Sequence, residues 1–405
     1  MPSPSPATAP LVAIVGGGPA GLLAAQRLAE AGYRVRVFEQ KATVGRKFLV
    51  AGHGGFNLTN GEATAAFAGR YGAAQAFFAQ VLAYFSPTDL RGWAADLGIA
   101  TFVGTSGRVF PEAQHKPADL LRAWLRRLGE LGVEINTRHR WLGFAGATGL
   151  RFLNEASGAE LTVEPAATVL ALGGASWPQT GSDGYWTQLL IKIGVRCQPF
   201  EPSNCGAEVA WSTFFKEKVG RAPLKNIALS CGGHTVRGEL MLTTYGVEGT
   251  PVYALTPALR AALASGAPAY LHLNLKPDLP PAEVRRRVAR RKAGESLASF
   301  LSSAFSLKAP VPTLLRELAD PAADLADSLL ALPTPVAGLR PLAEAISSAG
   351  GVPFSEVNEN LMLRQRPGTY LAGEMLAWEA PTGGYLLQGC MSTGAWAAKS
   401  IINAQ

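Results

Sequence analysis

Apolar residues recur along this chain with two periods, and each change of period marks an element. Leu11–Val15 is a short, unbroken apolar run, the pattern of a buried parallel strand. From residue 19 to about 31 the apolar spacing becomes helical, and Gly32 is placed to stop the helix. Residues 33–38 (Tyr-Arg-Val-Arg-Val-Phe) return to a β-rich pattern. Strand signals recur at 167–172, 270–275 and 369–372, with shorter alternating stretches at 208–211 and 227–230. Residues 281–330 read as mostly helical, and the Pro- and Leu-rich span 308–341 suits short helices and turns. A long helix is predicted from 385 to about 403, with small residues such as Gly389, Ser392, Gly394 and Ala398 that permit close packing.

The first strand, helix and second strand enclose a dinucleotide-binding fingerprint. Gly16, Gly18 and Gly21 give G-x-G-x-x-G at the strand-to-helix turn, with Pro19 and Ala20 between them. Such glycines allow a tight turn, close approach of a pyrophosphate, and packing of the helix on the sheet. Open N–H groups and the positive dipole end of the helix attract phosphate. Glu39, followed by Gln40, ends the second strand about twenty residues on, where a carboxylate accepts from a ribose diol and repels a 2′-phosphate. The pattern predicts a bound FAD- or NAD-like nucleotide.

Other segments carry two readings each. Gly45-Arg46-Lys47 can neutralise a diphosphate or form an ordinary polar loop. Residues 51–60 are Gly-rich, can press backbone against a flat ring, and contain Asn57 and His53. His53 is either a proton donor or a hydrogen-bonded loop residue. Gly173-Gly174 end the strand at 167–172, which suits either passage beside a cofactor or a tight turn. Gly373-Glu374 follow the strand at 369–372, and Thr382, Gly383 and Gly384 precede the long helix. A glycine-rich helix start can aim N–H groups at the pyrimidine end of a flavin, or simply begin a core helix.

Composition narrows the classes. At 405 residues, two or three domains are expected, and 48% apolar with 17% charged residues describes a globular protein. The opening MPSPSPATAP has neither a basic nor an apolar signal region, and no run reaches the roughly 18 apolar residues of a membrane helix. The expected location is the cytoplasm. Cys197, Cys205, Cys231 and Cys390 form no C-x-x-C pair, and neither H-E-x-x-H nor G-x-S-x-G occurs. Disulfide-reductase, zinc and serine hydrolase chemistry therefore lack support, and no metal site is expected. The net charge of +7 is densest at Arg285, Arg286, Arg287, Arg290, Arg291 and Lys292, read as one helix. That run is either a solvated face or a contact for an acidic ligand or RNA. It lacks the interleaved aromatics of a single-strand binder.

Together these segments resemble the NAD(FAD)-utilising flavoproteins of the bile-acid-inducible reductase type, within the two-dinucleotide-binding flavoproteins. The matching pieces run in order from the fingerprint through Glu39, residues 45–47, 57–60 and 172–178 to 239–246, 350–352, 371–374 and 381–385. The resemblance implies an α/β fold: a discontinuous Rossmann-like FAD-binding domain, residues 10–187 with 350–405. Within it, residues 188–349 form an inserted β-barrel-like domain, with a helical subdomain at about 281–330. It further implies Glu39 at the adenosine ribose, Arg46 and Lys47 near the diphosphate or adenine side, and Asn57 near the flavin. Glu374 falls near the ribityl-diphosphate, and Gly383 and Gly384 at the isoalloxazine. Two departures stand out. The family's G-G-G-R-C-N loop reads Gly52-His53-Gly54-Gly55-Phe56-Asn57, and its T-H-x-G segment reads Thr244-Tyr245-Gly246 without the histidine.

The functional expectation is an FAD-dependent oxidoreductase that passes hydride through flavin N5 to or from a small molecule. NAD(P)H as a transient donor is implied by the resemblance alone, since no second G-x-G-x-x-G follows a strand. The sequence assigns no catalytic acid; His53 and Tyr245 are the candidates it offers. The alternative is a flavin-binding protein associated with RNA through the basic run. NAD bound in the fingerprint, as in a simple dehydrogenase, would leave residues 45–47 and 373–374 without a role.

Overall fold

A computed structural model describes residues 9–50, 56–113 and 115–404. The chain forms two compact units, one from residues 1–201 with 347–405 and the other from residues 202–346. The helix Trp186–Ile191 runs across position 187, so the chain leaves the first unit later than the sequence-based boundary.

In the first unit, Leu11–Val15 is the middle strand of a five-stranded sheet. The order is Thr369–Leu371, Ala167–Leu170, Leu11–Val15, Arg34–Phe38 and Glu134–Asn136. Every pairing is parallel, and Val12, Ala13, Ile14 and Val15 are buried, as expected of strands covered on both faces. The strand Thr369–Leu371 brings the C-terminal segment into the sheet that the N-terminal segment begins. Helix Pro19–Glu30 and helix Tyr385–Ile402 then pack on one another. Their approach needs small residues: a Cβ on Gly394 would stand 2.2 Å from the Ala20 carbonyl oxygen. Two small antiparallel sheets complete the unit, Thr59–Asn60 with Arg108–Pro111 and Thr101–Val103, and His139–Ala145 with Gly149–Asn154 and Glu160–Val163.

The second unit is built on a seven-stranded sheet with antiparallel pairings. One continuous run supplies both of its edges. Leu332–Val336 pairs with Ala269–Asn274, while Gly338–Leu339 pairs with Ala207–Glu208 at the other end of the order. The sheet therefore curls round on itself, which gives the barrel-like insert its shape. Helices Pro281–Val288, Leu297–Phe305, Val311–Leu318 and Leu325–Leu330 follow its strand at 269–274. The span 308–341, expected as helices and turns, ends instead in these two strands. Alternate residues Leu332, Thr334 and Val336 turn inward, and Pro333 and Pro335 face out. Of the first alternating stretch, 208–211, only Glu208 is strand, as the end of Ala207–Glu208.

The basic run is not one helix. Pro281–Val288 ends before Arg290, and the chain turns through Gly294 with φ of +81°. Three of its six cations are ion-paired: Arg285 to Asp327 at 2.7 Å, and Arg286 and Arg287 to Glu283, each at 2.6 Å. Arg287 also donates to the Ala304 carbonyl, and Arg291 to that of Glu295, each at 2.8 Å. The Arg287 guanidinium also lies over the Phe305 ring at 5.9 Å, and that of Arg291 over Phe300 at 5.8 Å.

Candidate active site

A cavity of about 590 Å³ opens at the carboxyl ends of the central strands, where ligands bind in open α/β sheets. Its floor is the fingerprint turn. Gly16 has φ of +108°, and a Cβ there would stand 2.2 Å from the Ala171 carbonyl oxygen. A Cβ on Gly21 would meet the Gly16 oxygen at 2.1 Å. Gly18 differs: nothing lies within 4 Å of its Cβ position. The turn is thus pressed tightly against the sheet on one side and open on the other. The first helical bond runs from Leu22 N to Gly18 O at 2.9 Å, so the helix does not use the N–H groups before Leu22. This shape and polarity fit a dinucleotide diphosphate.

Glu39 stands at one wall. Its two oxygens accept from Gly17 N at 2.9 Å and Lys41 N at 2.8 Å. Burial pushes its carboxyl above the usual carboxylate range, against the pull of these two N–H groups. Gln40 donates from Nε2 to the Gly181 carbonyl at 2.6 Å, which ties residues 180–184 to the same wall. Arg46 and Lys47 open the short helix Arg46–Val50. Lys47 Nζ donates to Ser176 Oγ at 2.8 Å and to Glu374 Oε2 at 2.9 Å. Glu374 lies beyond the C-terminal strand, so this pair joins fingerprint, middle segment and C-terminus at one point.

Of the residues nominated from sequence, Gly16, Gly18, Pro19, Ala20, Glu39, Gln40, Arg46, Lys47, Gly173, Gly373 and Glu374 line this cavity. Gly21 and Gly174 lie behind it as packing positions; a Cβ on Gly174 would meet Ser348 Oγ at 2.0 Å. Thr382, Gly383 and Gly384 are not in its lining. Gly384, with φ of +100°, lies against the backbone of Thr59, and Asn60 Nδ2 donates to the Gly383 carbonyl at 3.3 Å. Asn57 Oδ1 is buried with no partner among the described residues. His53 lies outside the described residues. Tyr245 belongs to the insert, where its hydroxyl donates to Glu248 at 2.5 Å beneath the Arg340 guanidinium. Burial and then Glu248 raise its pKa strongly.

Sequence reasoning missed His139, Arg140 and Trp141, which line the far wall. They enter the site where His139 N donates to the Glu39 carbonyl at 2.9 Å and Phe38, at the end of the second strand, packs edge-on to the His139 ring at 6.0 Å between centroids. Strand alternation gave no sign of that contact. Among the described residues no cluster could hold a metal, all four cysteines are free, and no helix is long and apolar enough to cross a membrane.

A parallel nucleotide-binding sheet with this turn, acid and two-ended closure defines an FAD-dependent oxidoreductase. The HI0933-like protein Rossmann domain family matches residues 10–400, and the chain belongs to that family. It is 29% identical over 414 aligned positions to the 3-dehydro-bile acid delta(4,6)-reductase of Clostridium scindens, spanning 96% of this chain and 98% of that protein. It is 25% identical over 248 positions, 60% of each chain, to the ribosomal RNA dihydrouridine synthase of Haemophilus influenzae. In fold it resembles the 3-ketosteroid delta1-dehydrogenase of Sterolibacterium denitrificans, with a TM-score of 0.55 at 12% identity, covering 97% of this chain and 99% of that one.

Proposed function

We propose that this protein is an FAD-dependent reductase that saturates a carbon–carbon double bond conjugated to a carbonyl group in a small molecule. The supporting observation is the identity to a bile-acid reductase along 96% of the chain. That relative's name describes a 3-oxo compound with double bonds at positions 4 and 6. Bound FAD supplies hydride chemistry at flavin N5.

The chain's own residues bind and orient. Glu39 receives the ribose hydroxyls, and the open side of Gly16, Gly18 and Ala20 receives the diphosphate. Arg46 offsets phosphate charge. Lys47, held by Glu374 and Ser176, orders the ribityl side. Gly173 and Gly174 let the chain pass beside the ligand. Asn57, Thr382, Gly383 and Gly384 frame the isoalloxazine, where the start of helix Tyr385–Ile402 favours negative charge. NAD(P)H serves as a transient donor in an open cleft.

The test is spectroscopic. Purified protein is expected to be yellow, to bleach anaerobically with NADPH or NADH, and to recover colour on adding a conjugated enone, with the product two hydrogens heavier. Colourless protein that refuses FAD would exclude the proposal; bleaching without recovery would exclude its substrate class.

A second possibility, action on RNA, is favoured by the partial identity to a ribosomal RNA dihydrouridine synthase. Arg290 and Lys292 would be its phosphate contacts in the insert. RNA retention that weakens steeply with salt, and flattens on reversing those two charges, would support it.

A further inference from the structure

The sheet of Thr59–Asn60, Arg108–Pro111 and Thr101–Val103 borders the start of the C-terminal helix, within the same unit. Its register sets Asn60 opposite Arg108 and Phe102 opposite Phe110. Opposed residues share a face, as do residues two apart on a strand, so these four side chains lie on one face. The other face carries Thr59 and Val109, both fully buried. The exterior face is graded. At its inner end Asn60 holds the Gly383 carbonyl, and Arg108 Nε lies 3.8 Å from where a Gly383 Cβ would stand. At its outer end the Phe102 and Phe110 rings lie 5.8 Å apart, inclined by 31°. Phe102 is 47% exposed, on an edge strand where charged residues ordinarily guard against pairing.

We propose that this face is the substrate platform: Phe102 and Phe110 receive the flat apolar body of an oxo-substituted ring compound, and Arg108 donates to its carbonyl oxygen. This rests on the placement of the isoalloxazine at Gly383 and Gly384. Hydride from the reduced cofactor, itself replenished by nicotinamide, forms a C–H bond at the β carbon. The double-bond pair shifts toward the α carbon and carbonyl, negative charge gathers on oxygen, and solvent supplies the α proton. The guanidinium stabilises that oxygen as its negative charge forms. The face suits a small apolar ligand better than RNA. Arg70, over the Tyr385 ring, donates to Glu62 at 3.0 and 2.8 Å rather than facing a phosphate backbone.

The experiment titrates oxidised holoenzyme with androst-4-ene-3,17-dione and follows perturbation of the flavin spectrum. Arg108→Gln is expected to weaken binding about tenfold or more, the loss of one charge-assisted hydrogen bond. Arg108→Lys should recover part of that loss. Phe102→Ser, at a half-exposed position, should weaken it about fivefold through lost apolar contact. FAD content should match wild type in all three. Wild-type affinity in Arg108→Gln and Phe102→Ser would overturn the platform while leaving the reductase proposal standing. So would a perturbation produced by a uridine oligonucleotide and not by the steroid. A wild-type holoenzyme that is yellow but blind to the steroid and to every enone overturns both.

Discussion

Lys47 and Glu374, 327 positions apart, meet in an ion pair of 2.9 Å at the wall of the nucleotide cavity. Neither is needed to build its own element, yet together they fasten the C-terminal segment to the fingerprint half. Lys47→Met should weaken FAD binding about tenfold, with Glu374→Gln weakening it less, because the lysine also reaches Ser176. A double-mutant cycle should return a coupling of about 1 kcal/mol. Strict additivity in FAD titrations would show the pair to be incidental.

The fingerprint glycines should separate by role. Gly16→Ala places a Cβ 2.2 Å from a carbonyl oxygen at positive φ and should cost about 3 kcal/mol or more of apo-protein stability. Gly18→Ala, with open space at its Cβ, should alter stability by less than about 1 kcal/mol while lowering FAD affinity. Thermal unfolding of apo-protein with parallel FAD titration checks both. Equal destabilisation would contradict the open face of the turn.

Thiol chemistry should be silent near neutrality. Burial pushes Cys197 and Cys205 up to about 11, with Glu356 adding to the effect at Cys197. At pH 8 only about one thiol in a thousand is ionised at such a pKa. Alkylation of Cys197 should rise about tenfold per pH unit between 8 and 10, since the thiolate is the reacting form. Mass spectrometry of iodoacetamide-treated protein reads this directly; fast labelling at pH 7 would refute it.

Glu356 should govern acid stability. Burial pushes its carboxyl up, but Arg196 at 2.5 Å and Gln365 at 2.6 Å outweigh burial and hold it below the usual range. A depressed carboxyl stabilises above the unfolded pKa of about 4.3 and loses that contribution as pH falls through the lower folded value. Glu356→Gln should therefore cost about 1–3 kcal/mol at pH 7 and progressively less below about pH 4. A difference constant from pH 7 to 3 would rule this out.

How much could be read from sequence differs by element. The strand Leu11–Val15, the helix Pro19–Glu30 and the strand Arg34–Phe38 were legible because period, glycine spacing and terminal acid all agree locally. The strand Thr369–Leu371 was legible as a strand, and the family resemblance assigned it to the same domain; its place in the sheet beside Ala167–Leu170 was not legible. The wall of His139–Trp141 was not legible either, because its place depends on contacts with Phe38 and Glu39, distant in sequence. Nor was the pairing of the basic run with Glu283 and Asp327, which made six cations in sequence look like a free face.

By itself the sequence determined the nucleotide-binding half, since a turn that must clear Ala171 and admit phosphate constrains residue type within a few positions. Tertiary structure alone decided which side chains face the cavity, how residues 332–339 close the insert's sheet, and that Arg108 stands beside Gly383. Those outcomes follow from contacts between segments far apart in the chain. Their energies depend on mutual burial and register, neither of which is written in any local pattern.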